Sequence, residues 1–365
     1  MLHKRESQLL KRVKLKDVAE AAGVSTSIAS HALNNKPDGA GNVRIRPEVR
    51  ARIKEAAAKM GYRAQRNAKT LRSKDSNIIG IISCQSSNPV HFATSFAITT
   101  DILTRGYDYI LYFYFHITHL ADGIGAYQTK RALDMMLGYN IKGLILSELA
   151  LNNDELEEVR QLAKFGLPVV DISPVSRGDF PNITADFYSS SYNMAKSLVR
   201  DSSQNVAIVC SAKACKHPSV ASRIKGISDA CASVGVELQI HGIDDAIPRS
   251  DASYSYEATA QLLSTGKKPD IIFYSNDFWA FSGLKAVKQK GYRIPEDIAV
   301  CGFDGIDLAS VSDPSLTTVA QPAEEIGHKA VEILFDMMDG GKEIKHSIIE
   351  VKCKPIYRES APLLK

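Results

Sequence analysis

From Asn77 onward one texture repeats: apolar runs of strand length alternate with segments of helix length. The runs are "NIIGIIS", "DYILYFYF", "GLILS", "PVVDI", "NVAIVC", "VELQIHG", "DIIFYS" and "IAVCGFD". Stretches such as "YSSSYNMAKSLVR", "PSVASRIKGISDACASVG" and "YSYEATAQLLSTG" lie between them. Continuous apolar strands that alternate with helices make parallel sheets, because a parallel crossover needs a helix and that helix must bury its apolar stripe on the sheet. Residues 77–365 exceed what one sheet comfortably organises, so the pattern predicts an α/β body of two doubly wound lobes with a cleft between them. In such folds ligands bind outside the carboxyl ends of the strands, at the cleft.

The N-terminal part reads differently. Leu15, Val18 and Ala22 recur at helical spacing before Gly23, and Val24, Ile28 and Ala32 recur after it. Gly23 supplies the positive φ of a sharp turn, and Ser25 supplies the N-cap of a second helix. This is a helix-turn-helix pattern, and its second helix turns Thr26, Ser27, Ser30, His31 and Asn34 outward. Small hydrogen-bonding side chains there suit a DNA major groove, and they also suit the solvated face of a small helical subdomain; these helices alone do not choose. After the loop "KPDGAGNVRI" a third helix is predicted from Pro47 to Met60, with Val49, Ile53, Ala56 and Met60 on one face and Gly61 as its stop. Residues 63–76, "RAQRNAKTLRSKDS", are basic and poor in apolar side chains, a linker that orders only against a partner.

Charge decides between the two readings of the helices. The formal net charge of +4 conceals a polarity: residues 1–77 hold 18 Lys and Arg against 7 Asp and Glu, a net of +11, whereas residues 78–365 hold 27 against 34, a net of −7. A basic N-terminal part on an acidic body is the footprint of contact with a polyanion, most simply DNA phosphates. A solvated basic face leaves the asymmetry unexplained. The six cysteines, at 84, 210, 215, 231, 301 and 353, form no C-x-x-C pair and fall mostly in apolar strand runs, which predicts reduced core thiols. No apolar stretch reaches the length of a membrane span and the N-terminus lacks the apolar core of a signal peptide; the expectation is a cytoplasmic protein with no membrane partner.

Nine spaced motifs in order, "KLKDVAEAAGVS", "ALNN", "RIKEAAAKMGY", "NAKTLRSKDSNIIGII", "GLILS", "SRIKG", "SNDFWAFSGLKA", "IPEDIAVCGFD" and "PSLTTVAQP", resemble the LacI/GalR family of bacterial repressors across residues 14–358. The resemblance implies a helix-turn-helix headpiece over residues 1–62, a hinge helix and linker over 63–76, and a two-lobed effector-binding and dimerisation body of the periplasmic-binding-protein type over 77–365. It implies that Thr26, Ser27 and His31 read bases, with Ser30 and Asn34 on the same face. Family members often carry Arg where His31 stands, and Arg reads guanine through two parallel bonds. Arg46 stands where the family has a Ser or Thr helix cap, losing a cap worth ~1 kcal/mol and adding a cation that reaches phosphate. In the hinge, Leu71 is implied to enter the minor groove beside its symmetry mate while Arg66, Lys69 and Arg72 hold phosphates; packing of Leu71 on the body is the alternative. Two further departures are Ala64, where the family commonly has Pro, and the longer loop 36–43.

For the cleft the resemblance implies effector contacts from His91, Phe92, Ser147, Asp186, Arg223, Asn276 and Asp304. Arg223 offers a fixed fork for hydroxyl pairs or a carboxylate, and Asp304 accepts from sugar hydroxyls or a purine nitrogen. Asp277 reads as the cap of the helix that follows, Phe303 as core, and Trp279 as core packing or cleft lining. The implied partners are a near-palindromic double-stranded operator, a small-molecule effector of sugar or sugar-derivative type, and a second copy of the chain, since no leucine heptad follows Ile356. No cofactor and no metal are expected. An enzyme is disfavoured because no G-x-x-x-x-G-K, G-x-S-x-G or H-E-x-x-H motif occurs. An exported solute-binding protein would not need the basic headpiece, and a DNA-packaging protein would not need the large body.

Overall fold

The computed structural model describes residues 13–33, 45–60, 62, 76–84, 88–114, 123–147, 151, 153–200, 204–212, 214–243, 251–264, 267–340 and 347–363. The chain divides into two compact units, residues 1–75 and 76–365.

The first unit contains α1 (Leu15–Ala21), α2 (Thr26–Leu33) and α3 (Pro47–Lys59). Local chemistry sets each boundary. The Asp17 carboxylate accepts from the Lys14 backbone N–H at 2.7 Å and closes the start of α1. Gly23 takes φ +61° with no atom near the position of a Cβ, so glycine is required there by the backbone angle and not by crowding. Ser25 Oγ accepts from the Ile28 N–H at 3.3 Å and caps α2, while Pro47 opens α3 after Arg46, whose side chain makes no cap bond. Val18, Ala19, Ala22, Ala29, Ala32, Ile53 and Ala57 are buried together. Ala29, absent from the sequence pattern, belongs to this core because a small side chain lets the helices approach closely.

The second unit holds a six-stranded and a four-stranded sheet, both parallel throughout. The strands are β1 (Ile78–Cys84), β2 (Asp108–Tyr114), β3 (Gly143–Ser147), β4 (Val169–Ile172), β5 (Asn182–Asp186), β6 (Val206–Ser211), β7 (Leu238–Ile243), β8 (Ile271–Tyr274), β9 (Ala299–Cys301), β10 (Thr318–Ala320), β11 (Ile348–Lys352) and β12 (Lys354–Ile356). The first sheet runs β11-β5-β4-β3-β1-β2 and the second β7-β6-β8-β9; β10 and β12 form an antiparallel ribbon. All eight expected strands are present. The helices that follow are α4 (Pro89–Thr104), α5 (Gly123–Gly138), α6 (Asn153–Lys164), α7 (Phe187–Leu198), α8 (Pro218–Ala232), α9 (Asp251–Leu262), α10 (Asp277–Gln289), α11 (Leu308–Val311) and α12 (Ala323–Met338).

The topology yields two lobes. Residues 76–186 and 323–352 build the first, residues 187–320 and 354–363 the second. The chain therefore crosses between lobes three times: at Asp186 between β5 and α7, at Gln321 and Pro322 between β10 and α12, and at Cys353 between β11 and β12. One apolar cluster runs from Ile79, Ile81 and Ile145 of the first sheet to Ile208 and Phe273 of the second, which ties the lobes at their junction. Trp279 is buried among Ala207, Val209, Tyr274 and Leu284, so of its two readings core packing is the one realised.

The cysteines are not all the reduced core thiols that the sequence predicts. Cys210, at the end of β6, is disulfide-bonded to Cys215, with Cα atoms 6.2 Å apart. Composition reports that Cys210 sits in an apolar run but not that the short turn after it folds Cys215 back. Cys231, Cys301 and Cys353 are buried free thiols, and burial pushes Cys231 and Cys353 up to about 11.

Candidate functional site

The outward face of α2 forms opposite its buried alanines. Thr26 and Ser27 are exposed, and Ser30 and His31 are half-buried. His31 Nδ1 lies 3.1 Å from the Ser27 carbonyl oxygen one turn earlier. A carbonyl only accepts, so Nδ1 carries the hydrogen and the neutral ring leaves Nε2 as an acceptor. Arg46 is exposed at the start of α3. Asn34, Arg66, Lys69, Leu71 and Arg72 lie outside the described residues.

In the second unit the decisive group is Arg223 with Asp304. Arg223 projects from α8, and its guanidinium is stacked over the Phe303 ring at 3.8 Å and the Phe187 ring at 4.9 Å. Its Nη1 donates to the Ser275 carbonyl at 2.6 Å and its Nη2 lies 3.8 Å from Asp304 Oδ1. Asp304 follows β9 and takes φ +123°, a left-handed conformation rare for a residue with a Cβ. Its backbone is clamped: its N–H donates to the Val319 carbonyl at 2.9 Å and its carbonyl accepts from Gln321 N–H at 3.1 Å. Its carboxylate accepts from Gln321 Nε2 and from Asn88 Nδ2, each at 2.7 Å. Asn88 belongs to the first lobe, Gln321 to a crossover and Arg223 to the second lobe. Donors from all three parts of the unit converge on one buried acid. Burial raises the Asp304 carboxyl and Arg223, Gln321 and Asn88 pull it back.

Two family descriptions match the chain: residues 14–65 match the bacterial regulatory proteins of the lacI family, and residues 195–361 match a periplasmic binding protein-like domain. Catabolite control protein A of Priestia megaterium is 28% identical over 355 residues, covering 95% of this chain and 99% of that protein. The chain belongs to the LacI family. The HTH-type transcriptional repressor CytR of Escherichia coli strain K12 is likewise 28% identical to this regulator over 330 residues, covering 89% of it and 90% of the relative. The lac repressor dimer bound to operator and the anti-inducer ONPF shares the fold, with a TM-score of 0.75 at 21% identity, over 96% of this chain and 100% of that one. The LacI-family chain is thus a DNA-binding transcriptional regulator controlled by a small-molecule effector, and not an enzyme. Among its described residues no helix is long and apolar enough to cross a membrane.

The expected cleft residues of the regulator meet different fates. Arg223 and Asp304 are brought together. His91, half-buried in the first turn of α4, is pushed down to about 4 by burial and then by the charges of Arg223 and His217, both of the other lobe. Ser147 ends β3 in register with Ser83, is 1% exposed, and its Oγ has no hydrogen-bond partner among the described residues. Asp186 and Asn276 are helix caps: Asp186 accepts from Ser189 N–H and Asn276 from Trp279 N–H, each at 2.9 Å. Phe92 is 71% exposed and stacks along α4 on Phe96, with ring centroids 6.3 Å apart.

Asp277 is not the cap it was expected to be. Its Oδ2 accepts from the Gly305 and Ile306 N–H groups at 2.8 and 3.0 Å, and its Oδ1 from Thr318 Oγ1 at 2.6 Å. It therefore anchors the Asp304 loop to β10, and its neighbour Asn276 does the capping. Gly305, at φ +74°, passes so close to Ala320 that a Cβ would collide with it, which fixes the same loop from the other side. Burial, then the nearby Asp304 charge, raises Asp277 to about 7. Asn88, Gln321 and the anchoring role of Asp277 are not legible in the sequence, because the local signals there reach no further than a helix cap or a polar side chain near a strand end.

Proposed function

We propose that this regulator is a repressor that binds a near-palindromic operator as a homodimer, with its operator affinity set by a sugar or sugar derivative held between the lobes. The observation that carries the effector reading is the buried Arg223–Asp304 pair over Phe303. A guanidinium fork only donates and a carboxylate only accepts, so together they suit hydroxyl groups that do both. His91, Ser147, Asp186 and Asn276 complete the proposed site, with Phe92 at its rim. The names of two relatives, the HTH-type transcriptional repressors PurR and CytR, support the repressor sense.

On DNA, Thr26, Ser27, Ser30, His31 and Asn34 read bases, Arg46, Arg66, Lys69 and Arg72 hold phosphates, and Leu71 wedges the minor groove. Residues 1–62 form the headpiece, 63–76 the hinge and 77–365 the body. The protein acts in the cytoplasm, where its operator is. Effector control follows from linkage: a ligand shifts DNA affinity only by as much as it prefers one body conformation over another. A thermal-shift screen of neutral sugars, sugar phosphates and purines against the full-length protein tests the reading. The expected result is a sugar that stabilises wild type and leaves Arg223→Ala unmoved; stabilisation by a purine alone, or of both proteins equally, would contradict it.

A further inference from the structure

We infer that Asn88 is a positioning residue that latches the two lobes, its side-chain amide donating across the cleft to Asp304, and that a ligand using that carboxylate oxygen must bring a hydrogen-bond donor in place of the amide. The second half rests on the reading of the cleft as the effector site; the first half does not.

The amide is aimed by its own helix. Asn88 Oδ1 accepts from the Val90 N–H at 3.0 Å and caps α4, so the plane of the amide is fixed and Nδ2 is turned away from the helix. It meets Asp304 Oδ2 at 2.7 Å, 216 residues further along the chain and in the other lobe. The acceptor is equally constrained. Asp304 cannot swing, because its backbone is bonded on both sides to the β10 segment and its loop is tied to Asp277 and Ala320. The left-handed φ of +123° shows that the surroundings over-determine its position.

The two oxygens of Asp304 have different neighbours. Oδ1 takes Gln321 at 2.7 Å and faces Arg223 at 3.8 Å, partners from the crossover and from its own lobe. Oδ2 takes the amide from the opposite lobe. Separating the lobes breaks the Oδ2 bond and leaves the Oδ1 bonds in place, so the Asn88 contact is the one that reports closure. It is a hydrogen bond to a charged acceptor held away from water, the stronger kind. The same geometry sets the chemistry of a competing ligand group. A hydroxyl or amino hydrogen replaces the amide hydrogen, whereas a carboxylate or phosphate oxygen would place charge against charge at Oδ2. Asp304 Oδ2 thus makes that subsite selective for hydrogen-bond donors and against anionic oxygens.

The test uses full-length protein carrying a donor and an acceptor dye at the exposed positions 165 and 311, one in each lobe, diluted with unlabelled chains so that only intramolecular energy transfer is read. Asn88→Ser keeps a good helix cap and removes the cross-cleft donor; Asn88→Asp keeps the cap and sets two carboxylates face to face. The expected result is an open-to-closed ratio raised about tenfold in Asn88→Ser, the scale of one hydrogen bond to a charged group, and more in Asn88→Asp. The double variant Asn88→Asp with Asp304→Asn reverses donor and acceptor and should return to the wild-type ratio. Energy transfer unchanged in both single variants, or a double variant as open as Asn88→Asp, would overturn the latch. With D-ribose and cellobiose and their acid and phosphate derivatives as probes, a sugar that binds wild type should bind Asn88→Ser at least threefold tighter; equal affinity would overturn the competition. Binding of none of the probes counts against the sugar reading of the cleft, while the energy-transfer result still decides the latch.

Discussion

The two working regions of this regulator are made by opposite means. The face proposed to read DNA is contiguous: Thr26, Ser27, Ser30 and His31 lie within two turns of one helix, in a part of the chain whose net charge is +11. The cleft group is scattered: Asn88, Arg223, Asp304 and Gln321 span most of the second unit and meet only because two sheets and three crossovers bring them to one point. One region works at the surface by long-range charge and exposed donors and acceptors. The other is held in the interior by hydrogen bonds of 2.6 to 2.7 Å and by ring stacking in a low-dielectric setting.

Salt separates the two most strongly. If the headpiece and hinge make six or more phosphate contacts, operator affinity should fall about a thousandfold between roughly 50 and 200 mM salt, while a ligand in the buried cleft should lose less than about twofold. Equal salt slopes in fluorescence titrations of the two ligands would break the comparison.

Removal of Arg223 comes next. Arg223→Ala takes the guanidinium from a buried acid and leaves a space over Phe303, so the body should lose ~3 kcal/mol of stability in chemical denaturation. Loss of less than about 0.5 kcal/mol, the size expected for an exposed ion pair, would mean that the pair is not buried in solution.

The interior should also respond to pH as the surface does not. Asp277, held up to about 7, keeps its proton in the folded protein where the unfolded chain has lost it. The stability it lends is complete below about pH 4 and is lost as pH rises to about 7. His91, held down to about 4, works the other way and loses stability as pH falls below 6.5. Subtracting the curve of Asp277→Asn, whose amide can still accept from Gly305 and Ile306, cancels the His91 share. Wild type should lose on the order of 2–4 kcal/mol relative to the variant between those limits. Parallel curves would show that Asp277 titrates as an ordinary carboxyl.

The smallest effect sharpens the surface side. With Nδ1 bonded to the Ser27 carbonyl, neutral His31 presents an acceptor, which suits the exocyclic amine of adenine or cytosine. His31→Arg should move one symmetric pair of operator positions toward guanine, by ~1–3 kcal/mol, in selection from a random DNA library. An unchanged consensus would mean that His31 reads no base.

What was legible in the sequence follows the same division. Gly23, Ser25 and Pro47 mark their helix boundaries through local chemistry, and they do so in the structure. The eight expected strands announce themselves as apolar runs, β9 among them although it is only three residues long; β5, "NITAD", and β11, "IIEVK", interrupt their apolar residues with polar or charged ones, and β10, "TVA", and β12, "KPI", stand in no apolar run. The adjacent pair Asn276 and Asp277 shows the limit most clearly. Either is a competent cap; Asp277 is drawn to the loop at 305–306 and to Thr318, groups that no local pattern connects to it, and the cap falls to Asn276. Asn88 is a sharper case, since its capping of α4 is local chemistry and its bond to Asp304 is purely tertiary.

The central claim is that a ligand at the Arg223–Asp304 group governs how tightly the headpiece holds DNA. Operator titrations of wild type and Arg223→Ala, with and without a sugar found to bind the wild-type protein, measure it directly at a temperature where the variant remains folded. The account predicts equal operator affinities for the two proteins without the sugar, and a shift on adding it that wild type shows and the variant lacks at any concentration. A variant that still responds at wild-type concentrations would place the controlling site elsewhere in the molecule.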